Sequence, residues 1–569
     1  MDDLSVTSQG SALGPAVEDT VQSALETLKT WRTTLATATQ GYLAACNNLN
    51  FLCAQPCRTS AERMNTERAL ATLDIELARL ALEQRTFDQA KSVLSITRNS
   101  SRSLSPIHNL PPEILRMIFS MLPLWGASNG RLLIRHAPTI AAVSTYWRKV
   151  IIRLKHVWSY LRIPTRSGSY EPLEFLAGRS DGYPLHLDIF GRLPHGDMYQ
   201  DNLARRLDFI SRYSTQIGEM NLRRYREEEM ESLQDTLMCW FKTGFKATGK
   251  AFATNKTLGL SGMVDGSIPT DWPTNIFLDQ ALEAEMEIIT GLHLTNISVP
   301  WESRIYSGLV DLQLIFHNQD RLEISQTKLA DILGRCPELE TLVIRGNLVL
   351  ISDNSHVPPV YLPKLKTLCI FDLSLSSYRF LLPLLSLSGC QSDLSVHLDL
   401  RNAAEMQDQI CRLVRDTPIK TFVCSNNRFE TRLSWPFSLV PLMPLLENLV
   451  LFNHPPLTSA EINDLILEFP PKVDSDSHEE QSENESPSSI SHLYVVSSTA
   501  VLRDLRYLVL LFGVRNLHLE RCTTPLDKMT VEEIKSSLLN SFPNLLCSIS
   551  GDGTVEHLDS CLSYTSQRH

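Results

Sequence analysis

Eight times between residues 291 and 520 the chain returns to one short apolar phrase, L-x-x-L-x-L/I, often entered through a proline. It reads GLHLTNI at Gly291–Ile297, LVDLQLI at Leu309–Ile315, CPELETLVI at Cys336–Ile344 and LPKLKTLCI at Leu362–Ile370. It returns as SVHLDL at Ser395–Leu400, MPLLENLVL at Met443–Leu451, ISHLYVV at Ile490–Val496 and VRNLHLE at Val514–Glu520. Corresponding leucines lie 30 residues apart from Leu312 to Leu342, 26 from Leu342 to Leu368 and 24 from Leu493 to Leu517. Helical stretches fill intervals such as Gln326–Leu333, Ala404–Val414 and Ser459–Phe469. A strand and a helix recurring at roughly 20–29 residues cannot bury an apolar face alone, so successive copies stack into a solenoid whose strands line one face. Earlier strands at Leu185–Phe190 and Ile217–Leu222 extend the array toward the N-terminus, with Pro164–Pro184 as the joint.

Ahead of the array the periodicity is helical. A seven-residue step runs through Val21, Leu28, Leu35, Tyr42 and Leu49, with Ala24, Trp31, Ala38, Ala45 and Leu52 at the companion positions. Such an a/d stripe over about four heptads is the pattern of a coiled coil. Pro56 breaks it, because proline has no amide and clashes with the preceding turn. A second helix is expected from about Thr59, with Ser60 as its cap, to about Leu94, its apolar sites being Leu70, Leu73, Leu77, Leu80, Phe87 and Leu94. Two helices of similar length broken at a proline suggest an antiparallel hairpin over 18–97 that either buries its two stripes against each other or dimerises. Residues 1–17 are expected to be disordered, and a Ser/Arg linker is expected over 98–104.

The segment 105–163 carries the densest apolar signal. Leu110 precedes Pro111-Pro112, a pair that presets φ at a helix start, where missing amides cost nothing. Glu113 then lies in the first turn, where the helix dipole favours a carboxylate. Ile114, Leu115, Ile118, Phe119 and Leu122 follow within nine positions, and a second helix carries Ile140, Val143, Trp147, Val150 and Ile151, followed by Leu154, Val157 and Trp158. A unit this small buries too little surface to be robust alone. Its surplus of large apolar residues points to the surface of a partner.

With LPPEIL at Leu110–Leu115, Ile118-Phe119 behind it, and V-x-x-x-W-R at Val143–Arg148 leading into a further Trp, the segment resembles an F-box. The flavour is that of F-box proteins of the mushroom lineage, which carry a coiled coil before the box and leucine-rich material after it. Cys336-Pro-x-Leu-x-x-Leu342 likewise resembles the helix-to-strand joint of leucine-rich F-box proteins. The resemblance implies an α plus α/β chain: a helical hairpin or coiled coil, a three-helix F-box over 105–163, and an irregular leucine-rich-repeat solenoid over 164–569. It implies a receptor that docks on a Skp-type adaptor, and through it on a cullin scaffold, while the repeats hold a target protein. The adaptor contacts carried over are Leu110, Pro111, Pro112, Ile114, Leu115, Ile118, Phe119, Val143, Trp147 and Leu154. Two departures stand out: Ser144 occupies a place where cysteine is frequent, and the connection from Pro123 to Pro138 is long.

Other classes receive little support. Lys plus Arg number 53 against 64 Asp plus Glu, a net charge of −11, the wrong balance for a surface that coats nucleic acid. The 12 cysteines contain no C-x-x-C pair, and Cys46, Cys53 and Cys57 match no zinc spacing. The bare string G-x-S-x-G occurs at Gly126–Gly130 and Gly178–Gly182, but no G-x-S-x-G elbow, P-loop, H-E-x-x-H or post-strand G-x-G-x-x-G is recognised, so no catalytic residue, metal or cofactor is nominated. With no secretory signal or apolar span of 18 residues, a cytoplasmic or nuclear protein is expected. Residues 472–489, KVDSDSHEEQSENESPSS, are expected to form a disordered acidic insertion. Against the receptor reading stand a non-degradative scaffold built on the same contacts, and an enzyme whose site is dispersed over the C-terminal 400 residues.

Overall fold

The computed structural model describes residues 15–53, 60–100, 107, 110–125, 136–163, 170–190, 198–224, 230–244, 256–262, 285–316, 322–346, 348–351, 357–387, 389–390, 393–399, 403–415, 417–425, 437, 439–457, 462–463, 465, 467, 490–499, 501–523 and 530–550. The acidic insertion, residues 1–14 and most of Ser459–Phe469 lie outside the described residues. The chain divides into two compact units, Met1–Asn109 and Leu110–His569.

The first unit holds helices α1 (Pro15–Cys53) and α2 (Ser60–Ser100). The second helix runs through Ser100, past the position where the linker was expected to begin. Threonine is a modest helix former because its hydroxyl competes for the backbone. In α1 that competition is absorbed locally: Thr27, Thr30 and Thr34 donate to carbonyls one turn back, at 2.9, 2.9 and 3.0 Å. Much of the described part of both apolar stripes lies open. Leu28, Trp31, Leu35 and Tyr42 of α1, and Leu77, Leu80, Phe87 and Leu94 of α2, are all exposed.

The second unit opens with three helices, α3 (Pro112–Trp125), α4 (His136–Val143) and α5 (Thr145–Ile151), and a 3-10 turn at Lys155–Trp158. Strand β1 (Tyr160–Ile163) follows at once, so the tail expected to close the helical module instead begins the sheet. Next come α6 (Glu171–Ser180), β2 (Leu185–Phe190), α7 (Met198–Tyr213), β3 (Ile217–Arg224), α8 (Met230–Gly244), β4 (Lys256–Gly262), β5 (Ile289–Thr295), β6 (Asp311–Phe316) and β7 (Leu322–Ser325). The chain continues through α9 (Gln326–Gly334), β8 (Thr341–Gly346), β9 (Leu348–Ile351), β10 (Val360–Tyr361), β11 (Thr367–Phe371), α10 (Leu375–Leu384), β12 (Leu385–Ser386) and β13 (Leu394–Asp399). It ends with α11 (Ala403–Val414), β14 (Ile419–Ser425), β15 (Asn448–Phe452), β16 (His492–Val496), α12 (Leu502–Phe512), β17 (Asn516–Glu520), α13 (Val531–Ser541) and β18 (Leu546–Ser550).

Among the described residues fourteen strands form one sheet in chain order, β1-β2-β3-β4-β5-β6-β8-β11-β13-β14-β15-β16-β17-β18. Each neighbouring pair within it is parallel. Two small pairs, β7–β9 and β10–β12, lie beside it. All eight phrases named from the sequence fall on strands of the main sheet; β1, β4, β14 and β18 went unnamed. The reason is composition: β14 carries Phe422 and Cys424 where β15 carries Leu449 and Leu451, and β4 is interrupted by Gly259. The 53 residues between Leu398 and Leu451 already span two repeats, and β14 fills that interval.

Register aligns the strands residue by residue. Leu292, Leu312, Leu342, Leu368, Val396, Phe422, Leu449, Leu493 and Leu517 are paired in succession, and all are essentially inaccessible in a continuous core shared with the helices. Two residues past the last core position, the chain repeatedly turns left-handed, at Asn296, Asp372, Asn453, Ser497 and Arg521, and at Gly346. Asparagine, aspartate and glycine tolerate positive φ best. The turn lets the amides of Asn296, Asn453 and Ser497 bond the next strand, at Ile315 O, Val496 O and Glu520 O, 2.8–3.0 Å away.

Candidate protein-binding site

The helical module separates its apolar residues into two sets. Leu115 and Phe119 of α3, Val150 and Ile151 of α5, and Leu154, Val157 and Trp158 behind them are buried. Phe119 packs its ring 5.1 Å from that of Trp147, and Trp158 Nε1 donates to Ile151 O at 2.8 Å, satisfying its buried donor. Ile114, Met117 and Ile118 on the other side of α3, with Val143 and Ile152, remain exposed. Helical geometry explains the split, since positions 114, 117 and 118 share a face that 115 and 119 do not.

Of the ten residues named as adaptor contacts, Pro111, Pro112, Ile114, Ile118 and Val143 are exposed, and Leu110 and Trp147 are half-buried. Leu115, Phe119 and Leu154 are enclosed and have little or no surface for a partner; their work is to hold the module together. Met117, 62% exposed, was not singled out from the sequence and belongs to the open set. Only the i, i+3, i+4 relation to Ile114 and Ile118 could have found it.

The ends are tied down. Tyr146 Oη donates to Leu110 O at 2.9 Å, and Leu115 N donates to Pro111 O at 3.2 Å, so the Pro-Pro approach is fixed against α5 and α3. Ser144, at the place where cysteine is frequent in the resembled motif, has a definite task. Its Oγ accepts from Trp147 N at 3.1 Å and caps α5, which typically contributes about 1 kcal/mol. Trp147 Nε1 finds no acceptor among the described residues.

The non-core face of the sheet carries the other polar chemistry. On β2 and β3, His186 Nδ1 lies 2.7 Å from Glu219 Oε2, and Asn221 donates to Glu219 Oε1 at 2.6 Å. Burial alone would raise the Glu219 carboxyl; its hydrogen bonds to His186 and Asn221 and the nearby imidazoles outweigh this and hold it below the ordinary value. The Tyr160 ring stacks on His186 with centroids 4.4 Å apart. A second pair, His293 Nε2 and Asp311 Oδ2 at 2.7 Å, follows on β5 and β6. Farther along, the outward positions turn apolar and pack on one another: Ile315, Val343, Cys369 and Phe371, then Val423, Val450, Phe452, Tyr494 and Val496.

Two serine–histidine contacts invite a catalytic reading. Ser395 Oγ lies 2.8 Å from His397 Nε2, but burial pushes that imidazole down to about 3, which disables it as a base at neutral pH. Ser548 Oγ lies 2.6 Å from His518 Nδ1, and His518 Nε2 lies 3.3 Å from His492 Nδ1. Burial and His492 both lower His518, and the orienting group is an imidazole rather than a carboxylate. Lys256, brought to about 8 by burial, directs its ammonium at the carbonyls of Ile217 and Thr215, a structural tie between strands. Among the described residues no cluster of three His, Cys, Asp or Glu side chains converges as a metal site, and no helix is long and apolar enough to cross a membrane.

No protein-family model matches the chain, and no curated protein matches it.

Proposed function

We propose that the chain is the substrate receptor of a cullin-based ubiquitin ligase, its helical module serving as an F-box and its strand–helix array as leucine-rich repeats. The observation that carries the reading is the exposed set Ile114, Met117, Ile118 and Val143 beside a core already closed by Leu115, Phe119, Val150 and Ile151. A module that has filled its interior and still presents large aliphatic side chains around a fixed Leu-Pro-Pro approach is built to be covered by another protein. The parallel, chain-ordered sheet supports the repeat reading, because stacking of like units generates that order.

In this reading the Skp-type adaptor takes the helical module and a target protein takes the outward face of the sheet. The receptor contributes proximity: it raises the effective concentration of a target lysine near the loaded thioester and bears no catalytic residue. The exposed stripes of α1 and α2 serve self-association through a coiled coil. The test is a pull-down of adaptor and cullin by the tagged full chain, wild type against Leu110→Ala/Pro111→Ala. Recovery by the wild type alone, with unchanged circular dichroism, upholds the reading; failure of the wild type to recover adaptor overturns it.

A further inference from the structure

From residue 114 to residue 170 the chain contains no Asp or Glu and nine Lys or Arg, although its overall net charge is −11. Its described residues, 114–125, 136–163 and 170, include the helical module. Where α4 and α5 meet α6, the fold leaves an open groove of ≈ 440 Å³ with an almost wholly apolar lining. Ala142, Ile152, Trp158 and Phe175 form its wall, and Arg148 and Arg179 stand at its edges. Phe175 is 58% exposed. The Arg179 guanidinium is held over the Phe175 ring at 4.6 Å and over Trp158 at 5.6 Å, and Arg148 Nε is anchored on Ala141 O at 2.8 Å. Neither guanidinium has a carboxylate partner among the described residues, whereas Lys155 close by is paired with Asp181.

We propose that this groove docks an acidic peptide segment of a partner protein, seating one large apolar side chain against Ile152 and Phe175 while flanking carboxylates meet Arg148 and Arg179. Both halves of the recognition are built before the partner arrives. Stacking and the carbonyl contact limit the rotamers of the two guanidiniums, so little side-chain entropy remains to be lost on binding. Charge-assisted, bidentate contacts then select carboxylate, and the apolar wall selects the anchor. Nucleic acid fits less well. Its phosphates would find the arginines, but the wall offers no free stacking platform: Trp158 is enclosed and Phe175 already carries Arg179 on its face. The inference rests on the receptor reading only in taking the partner to be a protein; the groove includes none of Ile114, Met117, Ile118 and Val143.

The test is selection of a random 12-residue peptide library displayed on phage against the full chain. Two variants serve as counter-targets: Arg148→Gln/Arg179→Gln, which removes the charges, and Ala142→Trp, which fills the groove from an exposed position. The expected result is enrichment of peptides with Trp, Phe or Leu flanked by Asp or Glu. A synthetic copy of the best should lose at least about tenfold in affinity to either variant and weaken steeply with salt. Enriched peptides without acids, equal binding by Ala142→Trp, no enrichment at all, or displacement of the peptide by a 20-nucleotide single-stranded RNA would each overturn it. The adaptor pull-down keeps the two readings apart. If the wild type recovers adaptor but selects no such peptide, the groove inference alone falls. If it selects the peptide and recovers no adaptor, the receptor reading falls.

Discussion

Replacing Ile114, Met117, Ile118 and Val143 together by serine separates binding from stability. These side chains are 41, 62, 38 and 44% exposed, together nearly two whole side chains of area open to a partner. Covering a whole large aliphatic side chain is worth about 1.5–3 kcal/mol, so covering all four is worth about 3–5.5 kcal/mol. That corresponds to a loss of about 10²- to 10⁴-fold in the Kd for the adaptor. The control is Leu115→Ala one position away. Leu115 is 0% exposed, so its truncation should cost the module about 2–5 kcal/mol of stability through lost transfer energy and a residual cavity. Below the unfolding transition it should leave adaptor affinity little changed. The assay pairs calorimetric titration of purified adaptor into each full-length variant with urea denaturation of the same protein. The division of the α3 side chains into an inner and an outer set is refuted by the opposite ranking, Leu115→Ala abolishing binding in a folded protein while the quadruple variant binds normally.

Other consequences follow from single contacts. A Cβ at Gly259 would lie 1.9 Å from Asn221 Oδ1, so Gly259→Ala should displace Asn221 from Glu219 and lower the melting temperature, and Asn221→Ala in the same chain should restore most of the loss; failure of that rescue would place the defect elsewhere. His397 stays neutral in the fold because burial pushes it down to about 3, while the unfolded chain takes up its proton near 6.5. This contribution is fully present above pH of about 6.5 and is lost by about 1.4 kcal/mol per unit as the pH falls toward 3. Urea midpoints at descending pH should therefore fall more steeply for the wild type than for His397→Asn, and parallel slopes would contradict the assignment. The depressed Glu219 carboxyl has the opposite origin: its stabilisation is present above the unfolded value near 4.3 and lost as pH falls through the folded one. Glu219→Gln should remove that acid-side loss in the same titration. The full chain should sediment as a dimer, and Leu28→Glu/Leu35→Glu should return it to monomer if the exposed stripe of α1 is the seam.

What the linear chain determined was periodic. Leucines at intervals of 24–30 residues specify strands that must stack, because one strand–helix unit cannot cover its own apolar face. The Pro-Pro-Glu start of α3 was legible for the same kind of local reason, φ preset by proline and a carboxylate at the positive end of a helix. Strands such as β14 and β18 escaped notice because a core position asks only for an apolar residue of fitting volume. Phe422 and Cys424, or Cys547 and Ile549, satisfy it without spelling the leucine pattern. Tertiary structure alone decided which apolar residues of a dense run face inward. Leu115 and Ile114 are adjacent and chemically alike, yet one is enclosed and the other open, because that depends on where α5 and Trp158 arrive rather than on either residue. The groove beside Phe175 exists for the same reason. Its wall is gathered from α4, α5, the 3-10 turn and α6, and no spacing in the sequence encodes the distance between elements that meet only when the module packs against the first strand–helix unit.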